Sequence, residues 1–263
     1  IYQCVNYANV FGLMGSGGIA CSASGGTIEE CVNYGQVIGG DGTSQNSGPT
    51  GGIVGEGTNV TIKNCYNFGK LETGTYYDPN DGYNENLSVG GIIGYADGTT
   101  IENCYNACSS IIGYSKGGIF GKSAGNNTDT NLYFRTGTGV SYAVGSANTN
   151  YNSTPKTFAE LQKQSTYLGW TFGTYGTATS GWVFVGAKIT INGEEQAYYL
   201  PRLAFEDLQL TNDLTYSVSV GKYTSSPDEG CTYSVSPDSV TSSGGQVTFT
   251  ATPSSGYQFI GWY

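Results

Sequence analysis

Short apolar runs of three to five residues recur through the first half of the chain, each split by Gly, Asn, Ser or Thr. Gly51-Gly52-Ile53-Val54-Gly55 is followed by Val60-Thr61-Ile62-Lys63-Asn64-Cys65-Tyr66-Asn67-Phe68-Gly69. The pattern returns as Gly90-Gly91-Ile92-Ile93-Gly94 and Ile101-Glu102-Asn103-Cys104-Tyr105-Asn106. An earlier copy joins Gly17-Gly18-Ile19-Ala20 to Ile28-Glu29-Glu30-Cys31-Val32-Asn33. In all three the first Gly stands 14 residues before the Cys. Cys4-Val5-Asn6-Tyr7 is half a copy. A degenerate copy runs from Gly117 to Phe134, where the same offset lands on Asn131 and the Cys is lost. No run has the length or the period of a helix, and all suit short strands. Repetition of this kind decides the fold before any other feature does.

Ile28, Ile62 and Ile101 lie three residues before their Cys. Strand residues three apart point to opposite faces, so both can enter one core only if the chain bends between them. Glu30, Asn64 and Asn103 occupy the predicted bend, and Asn tolerates left-handed backbone. A strand–corner–strand rhythm whose coils bury their apolar faces by stacking is a β-solenoid. The Cys-to-Cys steps are 27, 34 and 39, with the excess gathered before each Gly-Gly. A coil of about 27 residues at roughly 3.3 Å per residue suits three short sides. Glu29, Lys63 and Glu102 align one per coil with alternating sign, which predicts ion pairs on the solvent face.

The Gly-Gly-Ile-x-Gly … Ile-x-Asn-Cys-Tyr-Asn pattern at 51–67 and 90–106 resembles the GLUG motif of bacterial surface proteins, over roughly residues 1–135. The resemblance implies an extracellular adhesin or wall-associated protein, mostly without known enzymatic activity. The first copy departs from it, with Cys21 for the closing Gly and Glu30 for Asn. The family supplies no binding residues to carry over.

Beyond Asn131 the pattern stops. Lys156 to Gln162 reads as the start of a helix of about ten residues, with Thr157 and Glu160 as a capping box. Phe158, Leu161 and Leu168 would form its apolar face and cover the open end of the solenoid near Leu132 and Phe134. In GLUG-like proteins a similar helix precedes a Tyr-Pro-x-Leu segment, which Tyr199-Leu200-Pro201-Arg202-Leu203 resembles with one residue inserted. Trp170 to Phe172 and Trp182 to Ile191 read as strands, and Asn192-Gly193 signals a tight hairpin. Four alternating segments follow, at 215–220, 232–235, 246–252 and 257–262. The run from Thr250 to Trp262 resembles the divergent internalin-type B-repeat of bacterial surface proteins. The expected fold is all-β. It is a right-handed parallel β-helix (β-solenoid) with a C-terminal capping helix and a small C-terminal β module. The expected division is a solenoid at 1–150, a cap helix with short strands at 151–206, and a β-sandwich or B-repeat-like module at 207–263.

Composition narrows the function. The net charge is −10, and charged residues are only 11%, which argues against nucleic acid and anionic membrane surfaces. No apolar stretch reaches membrane-spanning length, so no membrane insertion is expected. The chain opens just before Cys4 and closes in Gly261-Trp262-Tyr263, each inside a motif, so a piece of a longer surface protein is expected. Cys4, Cys31, Cys65 and Cys104 would stack about 4.8 Å apart. Buried thiols, a run of disulfides and a metal site all remain open there. His and C-x-x-C are absent, which weighs against the metal.

The expected function is a non-enzymatic extracellular surface module, an adhesin or stalk that binds a glycan or a host or bacterial surface protein. The alternatives are a carbohydrate-active β-helix enzyme, such as a lyase or glycosidase, and a purely structural spacer. Catalysis needs paired carboxylates, or a base with a neutralising cation. The pattern offers neither, and no cofactor or catalytic residue is expected. Insertions in repeat folds often form the binding face. The longest loop, 72–89, carries Tyr76, Tyr77 and Tyr83, whose flat rings suit sugar faces, and the acceptors Asp78, Asp81 and Glu85. Asp78-Pro79-Asn80-Asp81-Gly82 is similar to a calcium loop, but its Gly is misplaced and the distant Glu is missing.

Overall fold

The structure is a computed structural model. It describes residues 1–12, 15–40, 48–74, 77–78, 82–83, 87–147, 149–191, 194–210, 215–217, 231–237, 239–241 and 247–256. The first part is a parallel β-solenoid. One full coil runs through Thr50–Gly51, Val54–Thr58, Thr61–Lys63, Tyr66–Asn67 and Leu71–Thr73. Each of these strands pairs in parallel with its equivalents in the coils before and after. The coil therefore has five sides, where three were expected. Two of the turns between these strands are left-handed corners, one on each side of the Ile strand. Glu30, Asn64, Asn103 and Asn131 all take left-handed φ between 51° and 55° or, for Asn103, 48°. These are the bends predicted from the Ile-to-Cys spacing, and a second corner of the same kind precedes each Ile strand, at Asn59 (φ 52°) and Gly98 (φ 60°).

Ile28, Ile62 and Ile101 form one register column and are almost fully buried. Cys31, Cys65 and Cys104 form the next and carry free, fully buried thiols. The Cys31 amide donates to Cys65 Sγ at 3.4 Å, and the Cys65 amide donates to Cys104 Sγ at 3.3 Å. Bonding to the next thiol and burial push the Cys31 thiol up, and burial does the same to Cys65, so neither forms a thiolate near neutral pH. Past the corner, residues alternate strictly: Cys inward, Tyr66 and Tyr105 outward, Asn67 and Asn106 inward. The buried Asn side chains form a ladder. Asn6 Nδ2 donates to Asn33 Oδ1 at 2.7 Å, Asn33 to Asn67 at 2.8 Å, and Asn67 to Asn106 at 3.0 Å. The second Gly of each Gly-Gly pair faces this ladder. A Cβ on Gly52 would run into the Gly91 carbonyl and the Asn67 side chain.

The degenerate coil is the last copy of the repeat, with a shift of one residue from the expected register, and Ser153–Lys156 pairs in parallel with its Leu132–Arg135 strand beyond it. Thr100 pairs with Thr128 and Tyr105 with Tyr133, so Leu132 fills the Cys column and Asn131 forms the corner. The extra residue sits at the corner before Thr128–Thr130. There Asn127 Nδ2 donates to Ser123 Oγ and the Ala124 carbonyl. Asp129 replaces Ile in its column and accepts from the Asn152 amide at 2.9 Å. Val140, Ala143 and Val144 complete the interior at this end. The expected helical cap is corrected on three counts. The α-helix is a single turn, Phe158–Leu161, with its capping box intact, and it passes into a 3₁₀ turn at Gln164–Thr166. Leu168 is exposed. Phe158 lies against Phe68 and Tyr198, on the side of the solenoid and not on its end.

That side carries a second core. Trp182–Ile191 and Glu194–Leu203 pair antiparallel along their whole length, and Asn192-Gly193 between them lies outside the described residues. Phe172–Gly173 and Gln209–Leu210 extend this sheet. The sheet and the 157–170 turns pack on the outward Tyr66, Tyr105 and Tyr133, burying Leu161, Tyr167, Trp182, Leu200 and Leu203. Tyr66 and Tyr105 stack at 4.9 Å, and Trp170 stacks on Trp182 at 4.6 Å. Farther on, Thr215–Ser217 pairs antiparallel with Ser239–Thr241, and Cys231–Ser236 with Thr248–Pro253, forming a small β module. The strand expected at 257–262 lies outside the described residues.

Ile62→Ala should lower unfolding stability by about 2–5 kcal/mol through the cavity it leaves. Lys63→Ala removes a half-exposed 3.6 Å ion pair with Glu29 and should cost less than about 1 kcal/mol. Urea denaturation of the two variants measures the difference.

Candidate functional site

The predicted binding loop is only partly described. Tyr77–Asp78 and Gly82–Tyr83 form a small antiparallel ladder, with Tyr77 opposite Tyr83. For these residues the backbone alone is described, and Tyr76, Asp81 and Glu85 lie outside the described residues. The calcium-like run 78–82 falls in the same segment. Among the described residues, no three Cys, Asp or Glu side chains group as a metal site.

The chemistry that the structure gathers elsewhere lies where the lateral sheet meets the coils. Arg202 and Glu206 are both buried there, joined through two tyrosines of adjacent coils. Arg202 Nη1 donates to the Tyr34 hydroxyl at 3.0 Å and to the Tyr66 hydroxyl at 3.3 Å. Tyr34 donates to Glu206 Oε2 at 2.6 Å, and Tyr66 donates to Glu206 Oε1 at 2.9 Å. The Leu203 amide adds a bond to Glu206 Oε1 at 2.7 Å. Each hydroxyl thus accepts from the cation and reaches the carboxylate, and the two hydroxyls also bond to each other. Burial pushes both phenols well above their usual range, so they remain neutral bridges. Burial also raises the Glu206 carboxyl, and the Arg202 charge and the hydrogen bonds from Tyr34 and the Leu203 amide pull it partly back. Arg202 Nε and Nη2 have no hydrogen-bond partner among the described residues, and the guanidinium lies 5.9 Å from the ring centres of Tyr34 and Tyr66.

Corner side chains fasten the same junction. Glu30 Oε1 accepts from the Gly181 amide at 2.6 Å, and Asn64 Oδ1 accepts from Trp182 Nε1 at 3.2 Å. Tyr105 donates to the Pro201 carbonyl at 2.6 Å. Glu30, the departure from the repeat noted above, therefore has a partner in the lateral sheet. A cleft of about 200 Å³ opens beside the junction. Tyr7, Tyr34 and Ile189 line it, with Lys188, Glu195 and Asp207 at its polar positions.

Comparison with known families agrees with this architecture. Residues 85–107 match the GLUG motif, and residues 222–263 match the divergent InlB B-repeat domain. The chain carries both, in that order. Both are typical of bacterial surface or extracellular proteins. No curated protein and no solved structure matches the chain. The GLUG match contains Cys104, Tyr105 and Asn106, which face the interior, the lateral core and the ladder in turn. Among the described residues no helix is long and apolar enough to cross a membrane.

In the sequence Arg202 stands out only as part of the Tyr199–Leu203 segment, and Glu206 belongs to no pattern. One signal pointed to them. If the GLUG Cys faces inward, the Tyr beside it must face outward, and a column of outward aromatics requires a cover. Arg202→Met should destabilise the chain by about 3–5 kcal/mol, because it leaves a buried carboxylate without its cation. Adding Glu206→Gln to that variant should recover part of the loss. The pH dependence follows from the raised Glu206 pKa. Its contribution is present below the unfolded-state pKa and is lost as pH rises through the folded-state value. The stability of the native chain minus that of Glu206→Gln should therefore fall with rising pH across that window, read from urea midpoints.

Proposed function

We propose that the chain is a non-enzymatic binding module of a bacterial surface protein, an adhesin or stalk that engages an extracellular glycan or a host or bacterial surface protein. The observation that carries this reading is the order of its parts, a GLUG solenoid followed by a B-repeat. Its parts are proposed as the solenoid at 1–150, the lateral closure at 151–206 and the C-terminal module at 207–263. The module acts at the cell surface, without a cofactor. Glu206 is buried and bonded on both oxygens, Glu29 pairs with Lys63, and Glu30 holds Gly181, so these three carboxylates serve the fold. The corner loop with Tyr76, Tyr77, Asp78, Asp81, Tyr83 and Glu85 belongs to the proposed contact surface.

The experiment is a glycan and cell-surface array probed with the whole chain, with a parallel assay for reducing ends and unsaturated sugars. Retention on at least one extracellular ligand without turnover is expected. Release of sugar products would overturn the reading, as would the absence of any retained ligand. Joint replacement of Tyr76, Tyr77 and Tyr83 by Ala should weaken retention in the folded protein.

A further inference from the structure

We propose that the Tyr34–Glu206 junction is a mechanical latch, through which tension applied to the two ends of the chain passes without entering the residues between them. The use of such a latch rests on the surface-module reading above, whereas its existence does not.

Tyr34 and Glu206 stand 172 positions apart and are joined by a hydrogen bond of 2.6 Å. That bond closes a loop around the coils of Cys65 and Cys104, the degenerate coil and the lateral sheet. Outside the pair, the chain is fastened by bonds that open in series. On the carboxyl side, Gln209–Leu210 makes a two-residue pairing with the Trp182–Ile191 strand, and the Leu208 amide donates to the Tyr175 hydroxyl. On the amino side, strands of two to five residues would peel from the coil above them. Each of these bonds meets tension alone, and a single bond that water can replace holds little.

At the pair, several bonds act together. Glu206 is held at once by Tyr34, by Tyr66 at 2.9 Å and by the Leu203 amide at 2.7 Å. Arg202 Nη1 donates to the Tyr34 hydroxyl at 3.0 Å, a second tie from the same ring to the lateral sheet. Glu30, on the same coil as Tyr34, accepts from the Gly181 amide at 2.6 Å. Glu30, Tyr34, Tyr66, Arg202 and Glu206 are all buried, so water does not take over a bond as it stretches. Bonds to charged groups are also the stronger kind. Separating Tyr34 from Glu206 therefore requires this group to break in one step. Tyr105 supplies the contrast. Its hydroxyl donates to the Pro201 carbonyl at 2.6 Å in the same core, but both residues lie inside the closed loop. Their bond adds stability and carries no tension. The 72–89 segment, with the proposed contact residues, also lies inside. A ligand held there stays held while the ends of the chain give.

The test is optical-tweezers extension of the whole chain, with handles at its two ends. The native chain should pause in one long-lived intermediate, with the residues outside the Tyr34–Glu206 pair extended. It should then lengthen in a single step by the contour of the 172 enclosed positions, at roughly 3.3–3.6 Å for each. Glu206→Gln and Tyr34→Phe should each shorten the lifetime of that intermediate about tenfold at fixed force. Tyr105→Phe should lower the urea midpoint and leave that lifetime unchanged. Equal shortening in Tyr105→Phe would overturn the latch, as would native coils that extend one by one past residue 34 without a pause. Neither result touches ligand retention on the array, which tests the binding reading separately.

Discussion

The alternation of side chains across a strand two residues long controls most of this structure. After the left-handed corner, the chain passes Cys inward, Tyr outward and Asn inward before it bends again. The inward pair needs little space and builds a narrow interior from thiols, an amide ladder and paired glycines. The outward Tyr is large and apolar over most of its surface. Stacked coil upon coil, it creates a stripe that water would meet at a cost of about 25 cal/mol for each Å² left uncovered. A bare solenoid of this sequence would be incomplete. The lateral sheet covers the stripe, and the solenoid gives that sheet the core it could not build alone.

Polar groups fix how the two layers meet. Tyr66 and Tyr34 end in hydroxyls that need partners once buried. Arg202 and Glu206 provide them, and the two charges are joined through those hydroxyls. Removing one charge strands the other in a region of low dielectric, while an apolar replacement of both would be tolerated far better. The arrangement therefore specifies position more than it adds stability. Glu30 and Asn64 act in the same way at the corners, each offering an oxygen to an N–H of the lateral sheet. Repeat positions that bend the coil thus also hold its cover.

Much of the solenoid was legible in the sequence because its constraints are local and repeated. The Ile and Cys columns follow from a three-residue spacing, and the bend at Asn64 and Asn103 follows from the same count. Two features were misread for physical reasons. The side count assumed strands of ordinary length, whereas each coil is built of five strands only two to five residues long, with left-handed corners on either side of the Ile strand. The degenerate copy was read at constant offset, and one extra residue near Asn127 moved Leu132 into the Cys column. The helix after Thr157 showed its start signal clearly, but its end depended on packing against Phe68 and Tyr198. The Arg202–Glu206 junction joins residues up to 172 positions apart, a separation at which no local pattern speaks.

The coils and their lateral cover share one core and therefore unfold together. Two of the three tryptophans, Trp170 and Trp182, lie in that shared core. In a Trp262→Phe chain, tryptophan fluorescence then reports the junction alone, while far-UV circular dichroism reports the strands of the solenoid. Equilibrium urea unfolding followed by both signals should give a single coincident transition. A fluorescence transition completed at lower urea, with the solenoid signal intact, would show instead that the cover detaches on its own.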